Sequence, residues 1–481
     1  MTSPEAAMLG CVSLCIAAPL VAAAALRLLG ERINPRFPAA TAIGVSLAAA
    51  CCLAAIWHSA AGRPFLFGPR LAGGGLVHVD GLTALLLPYV ALVDLAIVLV
   101  APRRALAIAG VSRLLIGAAI TMATMTTAHP AALVVLWGVS ILSTWLAVRS
   151  TLGGRPAARL YGLAMTAALA CMALGTALML ADPPWLGGCG SVGAAGGWLV
   201  AVAVMIRKGI VPFHSWYPAL FSGASLATAL VVTMPQVATY TAVRLLVGHA
   251  DGVATELIVV SQAALVTAAY GAALAVVQRS ARGLVGTLAM SQSAMVLAGL
   301  SGTLPMELCG ALAVWVSSGL ALTGIGLVVW ALESRAGRIP IDFLQGRFAD
   351  APALAAFFLL FGLASLGFPG TLSFVADDLI ISGSLDEQLH AGILVIVATM
   401  FAGIAVIRGW FHVFGGPVTP DAPQHVILPR ERIALSILLA ILVGLGVYPG
   451  PFVTSLEQVA ASLLAVREHH VPGQSPKGVH P

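Results

Sequence analysis

The chain has 481 residues, of which 9% are charged and 59% hydrophobic, and its mean hydropathy is +1.00. Soluble domains carry about 25% charged residues, so this composition excludes a soluble globular protein and predicts an all-α polytopic membrane protein. The net charge of +5 says little by itself, because in such chains the placement of the basic residues carries the information.

A helix needs about 20 apolar residues to cross a bilayer. With that ruler the sequence divides into roughly fourteen spans: residues 8–29, 38–58, 80–100, 107–126, 131–148, 160–181, 194–213, 218–245, 254–277, 283–301, 306–332, 352–383, 391–414 and 431–455. The first run follows acidic Glu5 and has no basic region before it, so it reads as a span and not as a cleaved leader. The twelfth is long and contains Gly367, Pro369 and Gly370, which predicts a break in its middle. The polar tail at 468–481 is expected to be disordered.

Of the 24 basic residues, 19 follow odd-numbered spans: Arg27, Arg32, Arg36, Arg103, Arg104, Arg113, Arg149, Arg155, Arg159, Arg207, Lys208, Arg279, Arg282, Arg335, Arg338, Arg347, Arg408, Arg430 and Arg432. Even-numbered loops hold acids instead, Asp182, Asp251, Glu256, Asp386 and Glu387; the exceptions to the pattern are Arg63, Arg70, Arg244, Arg467 and Lys477. The positive-inside rule then puts odd exits in the cytoplasm and both termini outside. The seven cysteines, at 11, 15, 51, 52, 171, 189 and 309, form no CxxC pair, so no metal, iron–sulfur cluster or disulfide framework is expected. Nucleotide-, flavin- and quinone-chemistry motifs and nucleophile elbows are absent, and no cofactor is expected. The partners expected are the lipid bilayer and other subunits, with no nucleic acid.

The most informative stretch is Val204–Arg244, where Arg207 and Lys208 end an apolar run and meet Pro212, Phe213, His214, Trp216 and Pro218. Proline removes an amide donor, so the carbonyls it frees need other partners. Charges inside a bilayer mark an ion path, a partner charge or an interface anchor. The Pro-interrupted span 7 and the Gly/Pro-interrupted span 12 lie five spans apart, as two inverted five-helix repeats would place them. Asp80 and Asp94, fourteen residues apart, fall on nearly the same face of span 3, and a structural ion pair with an arginine is expected there. His129, His249, His412 and His425 read as interface residues, and Trp137, Trp145, Trp216 and Trp410 as belt or packing aromatics.

RKGIVPFHSWYP (Arg207–Pro218) resembles the K-x-x-x-x-P-F-H-x-W-L-P signature of the antiporter-like, proton-translocating membrane subunits. That family spans respiratory complex I, multisubunit cation/proton antiporters, membrane-bound hydrogenases and two-component inorganic-carbon uptake complexes. Tyr240 and Arg244 resemble its A-Y-x-x-x-R helix end, GFPGTLSFVADDLI (Gly367–Ile380) its G-x-P-x-x-x-G-F block, and HVDGLTALLL (His78–Leu87) its D-x-L-(S/T) motif; the likeness covers roughly residues 70–450. The resemblance implies fourteen transmembrane helices with helices 7 and 12 broken. It divides the chain into residues 1–106 (helices 1–3), 107–250 and 251–415 (the repeats), 416–467 (helix 14) and the tail. The long C-terminal amphipathic strut of the longest members is not expected.

The resemblance also implies a mid-membrane line of charges, and here this sequence departs. Gly138 falls where the family has a fifth-helix Glu, Gln236 where it often has an eighth-helix Lys, and Ser317, Ser318 and Thr323 where it has eleventh-helix His and Lys. The seventh-helix Lys position holds Arg207, with Lys208 next to it, and the twelfth-helix charge falls on Asp377, followed by Asp378. Arginine does not exchange protons near neutral pH, whereas a buried lysine does. The candidate path is therefore Lys208, Arg207, His214, Gln236, Asp377 and Asp378, with Asp94 and Arg244 as structural charges. His214 reads either as a shuttle beside Lys208 or as a cap for freed carbonyls. Three functions stay open: a proton- or cation-translocating subunit of an energy-converting complex in a bacterial inner membrane; a non-pumping docking paralogue; and the membrane partner in inorganic-carbon uptake.

Overall fold

The computed structural model describes residues 3–30, 34–60, 62, 64–68, 76–151, 153–181, 191–247, 254–302, 305–417 and 426–468. Arg32, Arg63, Arg70, Asp182, Cys189, His249, Asp251, His425, Lys477 and the tail after residue 468 lie outside them, as do the side chains of Arg104, Asp386, Glu387 and Arg467. Apolar runs become helices because hydrocarbon offers backbone amides no other partner. The helices are α1 (Ser3–Leu29), α2 (Arg36–Ser59), α3 (Gly81–Val100), α4 (Ile108–Met125), α5 (Pro130–Arg149), α6 (Arg155–Ala181), α7 (Ser191–Lys208), α8 (Trp216–Gly223), α9 (Leu226–Thr233), α10 (Val237–Ala242), α11 (Ala254–Val276), α12 (Ala281–Ala298), α13 (Pro305–Ala336), α14 (Pro352–Ala364), α15 (Leu372–Glu387), α16 (Leu389–Phe414), α17 (Pro429–Val447) and α18 (Gly450–Glu468). A π turn over Val243–Val247 extends α10. A two-stranded antiparallel ribbon, β1 (Phe65–Phe67) with β2 (Val77–Val79), precedes α3.

Among the described residues ten helices, counting Leu226–Val247 as one, are long and apolar enough to cross a membrane alone. The fourteen expected spans map onto these helices and four others: α7 joined to α8, α12, α14 joined to α15, and α17. Spans 4–8 (α4 to α10) and 9–13 (α11 to α16) each have a broken fourth member, and an odd count of five reverses the second unit relative to the first. α13 is the axis: over its membrane-spanning window every residue is buried inside the protein.

Three expected boundaries are corrected. The run 218–245 is not one span, because helix resumes at Trp216, ends at Gly223 and restarts at Leu226 behind the Ser225 cap, whose hydroxyl accepts from Thr228 N. α8 thus completes span 7. Span 8 is itself interrupted, at Met234–Gln236 between α9 and α10, because Pro235 cannot continue the amide ladder. The last span stops at Val447, and the chain bends by 82° into α18. Leu456, Val459, Ala460 and Leu463 bury one face of α18 against α3 and α13, the i, i+3, i+4, i+7 pattern of an amphipathic helix. A short helix therefore lies across the bundle's end where no lateral helix was expected.

One end of the bundle is basic and tied by arginines. Arg282 pairs with Glu333 at 2.6 Å, Arg335 with Glu431 at 2.5 Å, and Arg408 donates to the carbonyls of Val276 and Gln278 at 2.7 and 3.0 Å. Arg338 donates to Ser222 O at 3.0 Å, which anchors the C-terminus of α8 at this end.

Gly446 fixes how closely α17 approaches the break between α14 and α15. A Cβ there would lie 2.3 Å from the carbonyl carbon of Thr371, whereas one at Gly444 meets nothing within 4 Å. Gly446→Ala must push backbone aside and is expected to destabilise by about 1–3 kcal/mol. Gly444→Ala is expected to be neutral or mildly stabilising. Thermal unfolding of the two variants in detergent checks the contrast.

Candidate proton path at the breaks of spans 7, 8 and 12

α7 ends inside the bundle at Lys208, because Gly209 takes φ +70° and the chain runs through a turn to Trp216. The interrupted ladder is repaired from the side: Trp216 Nε1 donates to Ile206 O at 2.8 Å, and Val211 N donates to Thr267 Oγ1 of α11 at 3.0 Å. Trp216 is therefore no belt aromatic. His214 neither caps a carbonyl nor bonds Lys208; its Nε2 meets Tyr270 Oη of α11 at 3.3 Å, and the two rings sit edge to face at 5.1 Å. This placement corrects the expectation that His214 caps a freed carbonyl.

Lys208 is 3% exposed. Its Nζ donates to Gln236 Oε1 at 2.6 Å and to Thr239 Oγ1 at 2.7 Å, and the Thr239 hydroxyl donates to the same Gln236 oxygen at 3.2 Å. Gln236 reaches this point because it occupies the left-handed region, φ +52° and ψ +48°, at the break of span 8. Tyr89 of α3 secures that break by donating to Met234 O at 2.8 Å. Two broken helices thus face each other, and the lysine bridges them through neutral oxygens. Lys208 forms no ion pair among the described residues. A cavity of about 20 Å³ adjoins it, room for about one water molecule, lined by Tyr161, Tyr217, Thr233, Gln236 and Ser293 among others.

Arg207 turns elsewhere. Its guanidinium lies 4.4 Å from the Trp137 ring centroid and donates to Ser140 Oγ at 2.7 Å; Trp137 in turn donates to Thr241 Oγ1 of α10 at 2.9 Å. Trp137, expected as a belt or packing residue, is fully buried and holds this arginine. Gly138 points at Leu169 of α6, so the group that meets Arg207 is Ser140, two residues on. Sequence reading missed Thr239 and Ser140, since ordinary hydroxyls on apolar helices give no signal until their faces are known.

The middle of the expected line is not continuous. On α13, Ser318 donates to Val314 O at 2.6 Å, Thr323 to Gly319 O at 2.6 Å and Ser317 to Val314 O at 3.5 Å, all back onto their own helix. Asp377 sits at the break of span 12. Gly367 has φ +70° there, and a Cβ on it would come 2.5 Å from Asp377 Oδ2, so the glycine makes room for the carboxylate. Asp377 is half-buried with no hydrogen bond or ion pair among the described residues, whereas Asp378 is exposed on the helix's outer side. The structure therefore separates the two.

The structural ion pair forms on Asp80 and not on Asp94. Arg244 Nη1 and Nη2 meet Asp80 Oδ2 and Oδ1 at 2.6 and 2.8 Å, and Nη2 also meets Thr83 Oγ1 at 3.2 Å. Asp80 caps α3 by accepting from Thr83 N at 2.9 Å. Burial of its neighbour His78 pushes that imidazole down to about 4, Arg244 adding to the effect and Asp80 opposing it. Asp94, 1% exposed, has no partner for either carboxylate oxygen among the described residues. The arginine sits at the C-terminal end of span 8, which brings it to the N-cap of α3 and leaves Asp94, nearly four turns further in, out of reach.

Residues 190–402 match the family described as NADH:quinone oxidoreductase/Mrp antiporter, transmembrane. That stretch is similar to this family's transmembrane region. The chain is 25% identical over 286 residues to NADH-quinone oxidoreductase subunit M of Mycobacterium tuberculosis, covering 58% of itself and 51% of that relative. With subunit M of Pseudomonas aeruginosa the figures are 27% over 273 residues, 56% and 52%. The chain spans about half the length of the curated relatives it matches. In structure it is similar to a chain of respiratory complex I from Thermus thermophilus, with TM-score 0.84, 21% identity, and 95% of this chain and 99% of that one covered. It is also similar to a chain of the Mrp complex from Dietzia sp., with TM-score 0.85, 20% identity, and coverage of 98% and 99%. At these identities the structural likeness speaks for the fold, a multi-pass helical membrane protein.

Removing one partner of a buried bidentate pair leaves the other charge uncompensated, at about 3–5 kcal/mol. Arg244→Leu is therefore expected to destabilise the protein by about that much, and Arg244→Leu with Asp80→Leu to recover most of the loss. A double-mutant cycle of thermal unfolding measures this coupling.

Proposed function

We propose that this chain is a membrane subunit of a multisubunit energy-converting complex that moves protons across the membrane, coupled to partner subunits that perform the driving chemistry. The observation that carries the reading is Lys208: a lysine buried at the meeting of two broken helices, held by neutral oxygens, beside room for a water. A lysine so placed gains and loses a proton more freely than one locked to a carboxylate, because no fixed anion favours its charged form. Arg207 holds a fixed positive charge beside it, and Gln236 and Thr239 keep the amine aimed along the path. Asp377, kept at the break of span 12 by Gly367, is the matching carboxylate in the second five-helix unit.

In this reading residues 107–250 and 251–415 are the two units, framed by residues 1–106 and 416–467. The arginine-rich end supports a cytoplasmic assignment in a bacterial inner membrane, which puts both termini outside. One observation favours a second reading, a docking subunit that keeps the fold without pumping: the α13 hydroxyls between the two units are spent on their own helix carbonyls.

The test is proton flux in vesicles holding the chain with its neighbouring subunits, followed by an internal pH dye. Lys208→Met and Asp377→Asn are each expected to lower coupled flux about a hundredfold, and Asp378→Asn to leave it near normal. Full flux in both of the first two variants would remove them from the path. An intact wild-type complex without flux would establish the docking reading.

A further inference from the structure

We propose that the cavity between α3, α4, α5 and α9, at the basic end of the bundle, binds an anionic phospholipid, with its phosphate on the Arg113 guanidinium and one acyl chain along the apolar inner wall. The cavity measures about 320 Å³. No step of proton transfer uses Arg113, and the site holds whether or not the chain pumps.

Arg113 carries the argument. Gly110, Arg113, Leu114 and Gly117 all line the cavity, the i, i+3, i+4, i+7 set of one helix face, so Arg113 stands midway along the lining strip of α4. A long side chain on a helix leans toward its N-terminus, which carries the guanidinium toward the mouth of the cavity at the basic end. Arg113 is half-buried, and its Nε is shut off from water without an acceptor. Nη1 and Nη2 are not closed off in that way and bond nothing among the described residues, so they are the atoms an occupant reaches. None of the ion pairs among the described residues includes Arg113, and no described lining residue is acidic. α4 and α9 both begin at this mouth, and their N-termini add partial positive charge. A cation so placed takes an anion, and a guanidinium fits a phosphate through two parallel N–H···O bonds.

The inner wall says which kind of anion. Val98, Leu106, Leu114, Val231 and Trp330 line it, and filling the space with water alone would leave that apolar surface wet. Thr144 donates to Ser140 O at 2.8 Å, and Ser150 and Thr151 donate to Ala147 O at 2.8 and 3.2 Å, so these lining hydroxyls have spent their protons and offer a free phosphate none. An anion that carries a hydrocarbon chain suits both the mouth and the wall. The bilayer is at hand: Leu142 and Leu146 of α5 are exposed, next to the lining residues Ser143 and Ala147, so this wall adjoins the outer surface of the bundle. Val232 borders both this cavity and the one beside Lys208, so one valine separates the two.

The full-length chain, stripped of lipid in detergent, is titrated by native mass spectrometry with phosphatidylglycerol, with diacylglycerol of the same chains, and with glycerol phosphate, which has the anion and no chain. Phosphatidylglycerol is expected to bind about tenfold more tightly than diacylglycerol, the worth of a charge-assisted hydrogen bond. Arg113→Gln keeps the diacylglycerol affinity and loses the preference, whereas Arg159→Gln, which removes an exposed arginine of α6, keeps it. Equal affinity for the two lipids in the wild type, or an undiminished preference in Arg113→Gln, overturns the proposal. Glycerol phosphate bound as tightly as phosphatidylglycerol overturns the lipid and names a free phosphate. Should Arg113→Gln not fold, Gly117→Leu decides. A Cβ at Gly117 meets nothing nearer than Val231 Cγ1 at 3.9 Å, so the new side chain enters the cavity. Phosphatidylglycerol binding at wild-type strength in that variant refutes the site.

Discussion

A lysine nitrogen bonded to a glutamine oxygen and a threonine oxygen, with no anion beside it among the described residues, is the interaction on which the rest of this structure depends. A continuous span 7 would carry Lys208 on along the helix axis, and a continuous span 8 would keep Gln236 in helical geometry, out of the left-handed turn it occupies. Each break leaves carbonyls and amides without helical partners, and each is repaired from a neighbour: Trp216 and Thr267 at the first, Tyr89 at the second. Those repairs fix the packing of α3 and α11 around the site. A carboxylate about 4 Å from the amine would favour its charged form by about 4 kcal/mol at an effective dielectric of 20. Neutral oxygens leave the lysine without that bias.

The ion pairs are kept apart from this centre. Arg244 is locked to Asp80 near one end of the bundle, and Arg282 and Arg335 are locked to Glu333 and Glu431 at the other. Arg207 is spread over the Trp137 ring and tied to Ser140. These pairings position helices, whereas Lys208 and Asp377, both at helix breaks, have no ionic partner among the described residues. Asp94 shares that property without lying at a break, and the fold gives it no evident role in the path.

The span pattern was legible because apolar length is a direct consequence of bilayer thickness, and PFHSW and GFPG mark two of the breaks by their prolines and glycines. The third break was hidden: Pro235 stands alone in an otherwise apolar run, and a single proline is compatible with a kink. Lys208 and Gln236 were each singled out, but their contact follows only from two breaks meeting in space. Which carboxylate of span 3 meets an arginine was not legible, because helical phase relates Asp80 to Asp94 and says nothing about depth relative to another span. α18 was missed because its first residues continue the apolar run of span 14, and its later polarity resembles a tail until α3 and α13 supply the surface for its buried face.

The central claim, that Lys208 works because neutral oxygens and no carboxylate hold its amine, is tested most directly by Gln236→Glu, which places a carboxylate where the Lys208 amine now meets an amide oxygen. Proton flux is compared with wild type in vesicles holding the assembled complex, with thermal stability followed in parallel. The account predicts that flux collapses while the protein stays folded, because the new ion pair holds the lysine charged. Flux equal to wild type in a folded Gln236→Glu complex would contradict it.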